Sequence, residues 1–320
     1  MNTILSFKIT FQAILQIFLL GSFGFALVKK NLITDEDLSF LSCLVIKFTL
    51  PLFIFCQLIE HFNFSNYQNW WFFPILSLII TAVGFLVGRL ILVFYKNMPY
   101  KKEFLSLLGF QNSGYLPLIL VATILPTSQK EAMFIYLFLF LLGFNLVIWS
   151  LGVRFLLKTK GKSLKLINEI LSPPVLAILI SLFLIMLGLN KFLPQFILKP
   201  LKLLGDCTLP LAMLVVGAGL AKIKIFKPNK IAISLLVFGK LIFLPFLALV
   251  ILFLFKVDPM VGFLILLQAA MPSATSLSLI ARHHRLEEEF INQGIFITHV
   301  ISLITIPLFL GIYGKFVILF

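Results

Sequence analysis

The sequence predicts an all-α integral membrane protein, and three observations support that fold class. Hydrophobic residues make up 61% of the 320 positions, and charged residues make up only 12%. The apolar residues form long segments of the length that crosses a bilayer, about 20 residues. Two of those segments are interrupted by polar residues, glycine and proline at matching places in the two halves of the chain. Such paired interruptions are typical of secondary transporters.

Ten apolar segments fit the length of a transmembrane helix. They are 9–28, 38–59, 70–94, 104–126, 131–156, 173–189, 200–221, 231–255, 259–281 and 290–313. The connections between them are short, so we expect no separate soluble domain. The first segment lacks a small-residue cleavage site, and we expect a retained span rather than a signal peptide.

The basic residues of alternate loops are divided unequally, 7 on one side against 17 on the other. The side with more basic residues is expected to face the cytoplasm. Both termini are then expected on the extracytoplasmic side of the cell's inner (plasma) membrane. The basic residues behind the net charge of +14 are therefore expected to set the orientation in the membrane and to contact anionic lipid headgroups. No nucleic-acid partner is expected. The three cysteines lie within spans without ligand-like spacing, so no metal site or cofactor is expected.

The interruptions are residues 111–117 (Gln-Asn-Ser-Gly-Tyr-Leu-Pro) and 268–276 (Gln-Ala-Ala-Met-Pro-Ser-Ala-Thr-Ser). A helix in lipid loses backbone hydrogen bonds only where protein or a cavity satisfies them again. We therefore predict two half-helices in each span, meeting near the bilayer centre. Ordinary kinks with small residues for helix packing are the alternative interpretation.

The interrupted segments supply the candidate substrate-binding residues. Side-chain donors, a glycine that permits close backbone approach, prolines that remove an N–H group, and a hydroxyl-rich second wall are all present. The positive N-terminal end of a half-helix favours an anion. The candidates are Asn112, Ser113, Gly114, Tyr115, Pro117, Met271, Pro272, Ser273, Thr275 and Ser276.

An internal repeat is predicted from a short match. The sequence Thr-Leu-Pro-Leu at 49–52 recurs 159 residues later, at 208–211. Five spans in each half is an odd number, so the second half would enter the membrane from the opposite side. We expect two inverted repeats, residues 1–157 and 173–320, joined by a short cytoplasmic linker at 158–172.

Three ionisable residues lie well inside predicted spans, where charges are costly and often functional. Lys47 and Asp206 are equivalent under the 159-residue repeat, which predicts an ion pair between them, with Asp206 as a candidate coupling carboxylate. Lys240 is a candidate for steering an anion, or for snorkelling to the membrane interface. His299 in the last span is a weaker site candidate than a partner in a helix–helix hydrogen bond.

The sequence resembles the auxin efflux carrier family (PIN-like proteins), in the form of its bacterial-type permeases. The similarity covers nearly the whole chain in order. The matching stretches are 24–51, 110–117, 172–174, 208–211, 217–220, 270–275 and 301–308.

The resemblance implies a fold of the bile-acid symporter and sodium–proton antiporter type. Spans 1, 2, 6 and 7 would form a scaffold, often dimeric. Spans 3–5 and 8–10 would form a transport domain that moves as an elevator. Broken spans 4 and 9 would cross at the substrate, which assigns Asn112, Pro117 and Pro272 to the crossing. The third span here contains no carboxylate, unlike the pattern in plant members.

The leading functional prediction is secondary active transport of a small organic anion, such as malate, malonate or an indole carboxylate. Whether H⁺ or Na⁺ is coupled stays open, and a homodimer is expected. A sodium-coupled bile-acid-type symporter and a non-transporting membrane sensor are the alternatives. An intramembrane enzyme would need convergent His, Asp or Glu residues at depth, which the spans lack, so no enzyme is expected.

Overall fold

The computed structural model describes residues 2–156, 171–222, 229–283 and 289–316, and in these the fold is helical. The helices are α1 (Asn2–Lys29), α2 (Asp35–His61), α3 (Phe72–Phe94), α4 (Lys101–Gly109), α5 (Tyr115–Ile124), α6 (Thr127–Gly152), α7 (Pro173–Met186), α8 (Gln195–Asp206), α9 (Thr208–Lys222), α10 (Lys230–Leu254), α11 (Pro259–Ala270), α12 (Ser276–His283) and α13 (Glu289–Phe316). The all-α membrane fold class is thereby confirmed.

Seven helices in the described ranges are long and apolar enough to cross a membrane, with α8 and α9 counted as one. Helices α5, α7 and α11 are apolar but shorter. The full arrangement of ten spans in two inverted repeats stays a prediction. Most of the predicted linker at 158–172, namely residues 158–170, lies outside the described residues.

Both interrupted segments are broken helices. The first is divided into α4 and α5 by residues 110–114, and the second into α11 and α12 by residues 271–275. Each break falls within the polar and glycine- or proline-containing stretch that predicts it, because these residues give up the regular backbone pattern most easily.

Local sequence explains where several helices begin. The Thr34 side chain accepts a hydrogen bond from the Asp37 amide, and the Asp37 carboxylate bonds back to Thr34, a capping box that starts α2. Asp258 accepts from two amides of the first turn of α11, and Pro259 occupies the first helical position. Asn229 caps α10 through the Ala232 amide.

Two helices contain a π-helical turn just before a proline. In α2 the turn is Val45–Thr49, followed by Pro51, and in α10 it is Phe238–Phe243, followed by Pro245. Proline lacks an N–H group and crowds the carbonyl four residues earlier, so the wider turn relieves that conflict. The turn in α10 carries Lys240.

The helices pack in two groups. Helix α2 packs against α7 and α8, and α1 packs against α9. Helix α3 packs against α4 and α6, and α10 packs against α11 and α13. Helix α13 also packs against α1, which joins the groups. Large apolar side chains such as Phe94, 90% exposed, cover the outer surface, as expected for a surface that faces lipid.

Glycines permit the closest helix contacts. A Cβ atom added to Gly84 of α3 would lie 2.6 Å from the carbonyl oxygen of Leu108 in α4. One added to Gly217 of α9 would lie only 1.8 Å from the carbonyl oxygen of Gly21 in α1. Small residues at both positions let the backbones meet, as in many membrane helix pairs.

Candidate substrate site at the helix crossover

The two breaks lie side by side, and we call residues 110–114 together with 271–275 the crossover. The amide of Asn112 donates to the carbonyl of Pro272 at 2.8 Å, and the amide of Ala274 donates to the carbonyl of Phe110 at 3.0 Å. Gln111 and Ser273 face each other in this short antiparallel bridge. The breaks thus satisfy some of each other's backbone groups, which lipid could not do.

Two side chains bond to carbonyls near the end of α4. The Ser273 hydroxyl donates to the carbonyl of Leu107 at 2.8 Å, and Lys240 Nζ donates to that of Leu108 at 2.8 Å. The last four carbonyls of a helix have no partner within it and carry partial negative charge, so hydroxyl and ammonium groups are favourable there. Lys240 is 2% exposed, so it lies in the protein core and does not reach the membrane interface.

Helix α13 contacts the crossover through Thr298 and His299. The Thr298 hydroxyl accepts from the Ser273 amide at 3.3 Å. Asn112 Nδ2 lies 3.0 Å from His299 Nε2, and His299 Nδ1 lies 2.8 Å from the carbonyl oxygen of Ile295. The helix–helix hydrogen bond expected of His299 is therefore made, and its partner is a candidate substrate residue.

The chemistry of these contacts fixes the imidazole tautomer. A carbonyl oxygen only accepts, so Nδ1 of His299 must carry the hydrogen that bonds to Ile295. Nε2 of the neutral ring is then an acceptor, which fits the Asn112 Nδ2 donor. Because Nδ2 is the end of the carboxamide that contacts the ring, the Asn112 Oδ1 atom is not the partner of His299.

Gln111 in the crossover and Gln268 just before it, in α11, are buried without side-chain partners among the described residues. Neither the oxygen nor the nitrogen of the Gln111 and Gln268 carboxamides is hydrogen bonded within the described parts of the chain. Buried polar groups are nearly always paired, because an unpaired one costs about 1–3 kcal/mol. These two carboxamides are therefore available to a bound ligand or ion.

The other candidates divide into buried and more accessible positions. Ser113, Pro117, Met271 and Pro272 are buried, whereas Gly114, Tyr115, Thr275 and Ser276 are partly exposed. A Cβ atom added to Gly114 would meet no described atom within 4 Å. The glycine therefore borders open space among the described residues, and its role in letting a substrate approach the backbone stays a prediction.

Lys47 and Asp206 are both exposed, on α2 and α8. No ion pair within 4.0 Å joins them among the described residues; Lys202 pairs with Glu60 instead, and Lys222 with Asp35. The coupling role of Asp206 stays a prediction. No cluster of three or more His, Cys, Asp or Glu residues in the described ranges could hold a metal ion.

Comparison with known proteins now decides the family. The sequence model of the family described as membrane transport protein matches residues 9–310. The chain belongs to this family. The predicted resemblance to auxin efflux carriers is confirmed, and a transport family points to a carrier rather than an enzyme.

Relatives of this membrane transport protein include proteins of a plant and an archaeon. An uncharacterised transporter of Methanocaldococcus jannaschii is 24% identical over 94% of the chain and 97% of its own length. Protein PIN-LIKES 2 of Arabidopsis thaliana is 31% identical over 32% of the chain, and PIN-LIKES 6 is 28% identical over 37%. The match spans only 22% and 28% of the length of these two plant relatives.

Sequence reasoning placed the breaks of this membrane transport protein but did not find every residue at them. Thr298 of α13 and the carbonyls of Leu107 and Leu108 were not among the candidates, and His299 was only a weaker one. The available signal was a polar pair, Thr298 and His299, in the middle of an apolar span, which the cost of burying polar groups makes informative. The carbonyls carry no sequence signal.

Proposed function

We propose that the protein is a secondary active transporter of a small organic anion, with its substrate site at the crossover. The observation that carries the proposal is the buried polar group formed there by Asn112, Gln111 and Gln268, with His299 behind Asn112. Polar groups that are buried at membrane depth often mark a substrate or ion pathway.

The charge at the crossover favours an anion. Helices α5 and α12 both begin there, and the N-terminus of a helix carries partial positive charge and free N–H groups. The Lys240 side chain donates to the carbonyl of Leu108, and when protonated it would add positive charge in a medium of low dielectric. A carboxylate such as malate, malonate or an indole carboxylate fits this environment.

The proposed mechanism is an elevator with two bodies. The packing of α1, α2 and α7 to α9 supports a scaffold, and that of α3 to α6 with α10 to α13 supports a transport domain that holds the crossover. The proposal includes two inverted repeats, a homodimer through the scaffold, and the basic loops in the cytoplasm. Movement of the transport domain would carry the crossover from one side of the membrane to the other.

Uptake by purified protein in liposomes tests this function. Radiolabelled malate, malonate and an indole carboxylate are supplied under imposed proton, sodium and voltage gradients. We expect saturable uptake of at least one of them, which falls at least tenfold in Asn112→Ala. The matched control is Asn190→Ala, at a turn after α7 and outside the crossover, which should transport as the wild type. Uptake that survives Asn112→Ala would move the site elsewhere.

Sodium coupling is a second candidate, and the unpaired glutamines favour it. Carboxamide oxygens are suitable ligands for a hard cation, and the Gln111 and Gln268 side chains have no partners among the described residues. In this version a sodium gradient drives uptake, and Gln268→Leu removes the sodium dependence. Sodium-independent uptake in the wild type would reject it. Ligand binding without flux would instead identify a sensor.

A further inference from the structure

The contact between Asn112 and His299 suggests how the site responds to protons. We propose that His299 is a proton-linked positioning residue, whose protonation decides whether Asn112 turns its carbonyl oxygen or its N–H group towards the ligand. This inference rests on the proposed function only in taking a carboxylate as the ligand. The proposal uses only the contacts of Asn112 and His299 given above.

With the ring neutral, the arrangement is the one observed. Nδ1–H of His299 donates to Ile295, and Nε2 accepts from Asn112 Nδ2. The carboxamide of asparagine has a donor end and an acceptor end, so directing Nδ2 to the ring leaves Oδ1 on the other side. An oxygen at that position disfavours a carboxylate, since both groups only accept hydrogen bonds.

With the ring protonated, the same contact must reverse. One proton adds to the Nε2 lone pair, and no other bond forms or breaks. Nε2–H is then a donor and cannot face the N–H groups of Asn112 Nδ2. Rotation of the carboxamide about its last side-chain bond lets Oδ1 accept from Nε2–H and turns Nδ2 outward. A carboxylate then gains a donor from Asn112 and an imidazolium close behind it.

The charged groups around His299 do not offset a positive charge on its ring, so a bound anion would have to do so. The helices that pack against α13 are α1, α4, α10, α11 and α12, and α11 carries no charged residue. The charged residues of the others and of α13 itself, with described side chains, are Lys8, Lys29, Lys101, Lys102, Glu103, Lys230, Lys240, Glu289 and Lys315. The side chains of Arg282 and His283 on α12 lie outside the described residues.

Lys240 is the member of that set that is buried, and a lysine side chain carries no negative charge in either protonation state. Glu289 is ten residues from His299 along α13, about 15 Å at 1.5 Å per residue. No described carboxylate is paired with His299, so a buried imidazolium there must be offset by a bound anion. Protonation of His299 and carboxylate binding therefore favour each other, and the linkage is reciprocal.

Binding of an indole carboxylate across a pH series tests the proposal on the full-length protein in liposomes. A single carboxylate stays ionised above about pH 6, so the ligand's own charge is constant there. In the wild type we expect the apparent dissociation constant to rise with pH by up to tenfold per unit, with close to one proton taken up per ligand. In His299→Gln, which cannot titrate, both effects should disappear.

The matched control is His61→Gln, which lies at the end of α2 near Glu60 and Glu131 and should keep the pH dependence of the wild type. Retention of that dependence in His299→Gln would overturn the proposal. So would a wild-type affinity that does not change with pH.

Histidine ¹⁵N NMR separates failure of this inference from failure of the proposed function. The protein has four histidines, and the His299→Gln spectrum identifies the resonance. We expect the Nδ1–H tautomer in the wild type at neutral pH. In Asn112→Asp, whose carboxylate only accepts, we expect a proton on Nε2 as well. An Nε2–H tautomer in the wild type would refute the inference even if the protein transports. The expected tautomers in a protein that neither binds nor transports a carboxylate would refute only the proposed function.

Discussion

The crossover and the contact between α1 and α9 are both built around small residues, but they use them in opposite ways. At the α1–α9 contact, a Cβ on Gly217 would overlap the carbonyl oxygen of Gly21, and one on Gly24 would lie 2.1 Å from that of Leu214. At the crossover, a Cβ on Gly114 would meet nothing described within 4 Å. The glycines of α1 and α9 let two helices pack backbone to backbone, whereas Gly114 leaves open space at the crossover.

The difference indicates where the structure is fixed and where it is prepared for a ligand. The α1–α9 contact belongs to the proposed scaffold and is held by backbone contact, which leaves no space to exploit. The crossover region holds carboxamides without partners among the described residues, and Gly114 borders open space there. Substitutions should therefore affect stability in the first region and transport in the second.

The largest expected effect is that of Gly217→Ala on folding. Its methyl group would lie against backbone, which cannot move aside as a side chain could, so we expect a loss of about 3 kcal/mol or more, at the high end for overpacking. Thermal unfolding in detergent measures it. Gly219→Ala, two residues along α9 in open space, should unfold at or slightly above the wild-type temperature. Equal stability of the two variants would break the comparison.

The next largest effect is that of Gly114→Ala on transport. The methyl group fits the fold but enters the proposed ligand space, so uptake should fall about tenfold, equivalent to about 1.4 kcal/mol. The unfolding temperature should stay within the range of Gly219→Ala, which also serves as the transport control. Full-rate uptake in Gly114→Ala would show that the open space is not used.

A smaller effect is expected from Ser273→Ala, which removes the hydroxyl bond from the crossover to the Leu107 carbonyl of α4. A net loss of about 1 kcal/mol in unfolding free energy is expected for one buried hydrogen bond. Ser278→Ala is the control, because its partly exposed side chain on α12 makes no hydrogen bond to the described residues. Indistinguishable stability of the two variants would mean that Ser273 does not hold the breaks together.

The smallest effect is expected from the ion pair between Lys202 and Glu60 in the scaffold. Both side chains are partly exposed, at 41% and 20%, so water and salt screen the pair. A double-mutant cycle with Lys202→Met and Glu60→Gln should give a coupling energy below about 1 kcal/mol. A larger value would show that this pair is shielded by lipid or by a second subunit.

Much of the fold could be predicted because lipid restricts the choices. The apolar segments and the two breaks follow from backbone hydrogen bonding, which no residue in the hydrocarbon region can avoid. The contacts of Asn112 with His299, and of Lys240 with the Leu108 carbonyl, join positions more than a hundred residues apart. No local pattern encodes such contacts, so they could not be predicted from one sequence.

The interpretation of Gly114 shows the same limit in another form. Glycine at a break indicates close approach or open space equally well, and only the neighbours in three dimensions decide between them. The repeat equivalence of Lys47 and Asp206 likewise gave a pairing, but sequence symmetry does not determine which side chains come within bonding distance.

Thiol labelling at position 114 tests the central claim most directly. Gly114→Cys is introduced after replacing the three native cysteines, Cys43, Cys56 and Cys207, and is reacted with a small water-soluble thiol reagent in liposomes. The transported carboxylate should slow the labelling in proportion to its occupancy, while Gly219→Cys labels at the same rate with or without it. Labelling of Gly114→Cys that saturating carboxylate leaves unchanged, in protein that keeps the reduced uptake expected of a substituted Gly114, would place the substrate site away from the crossover.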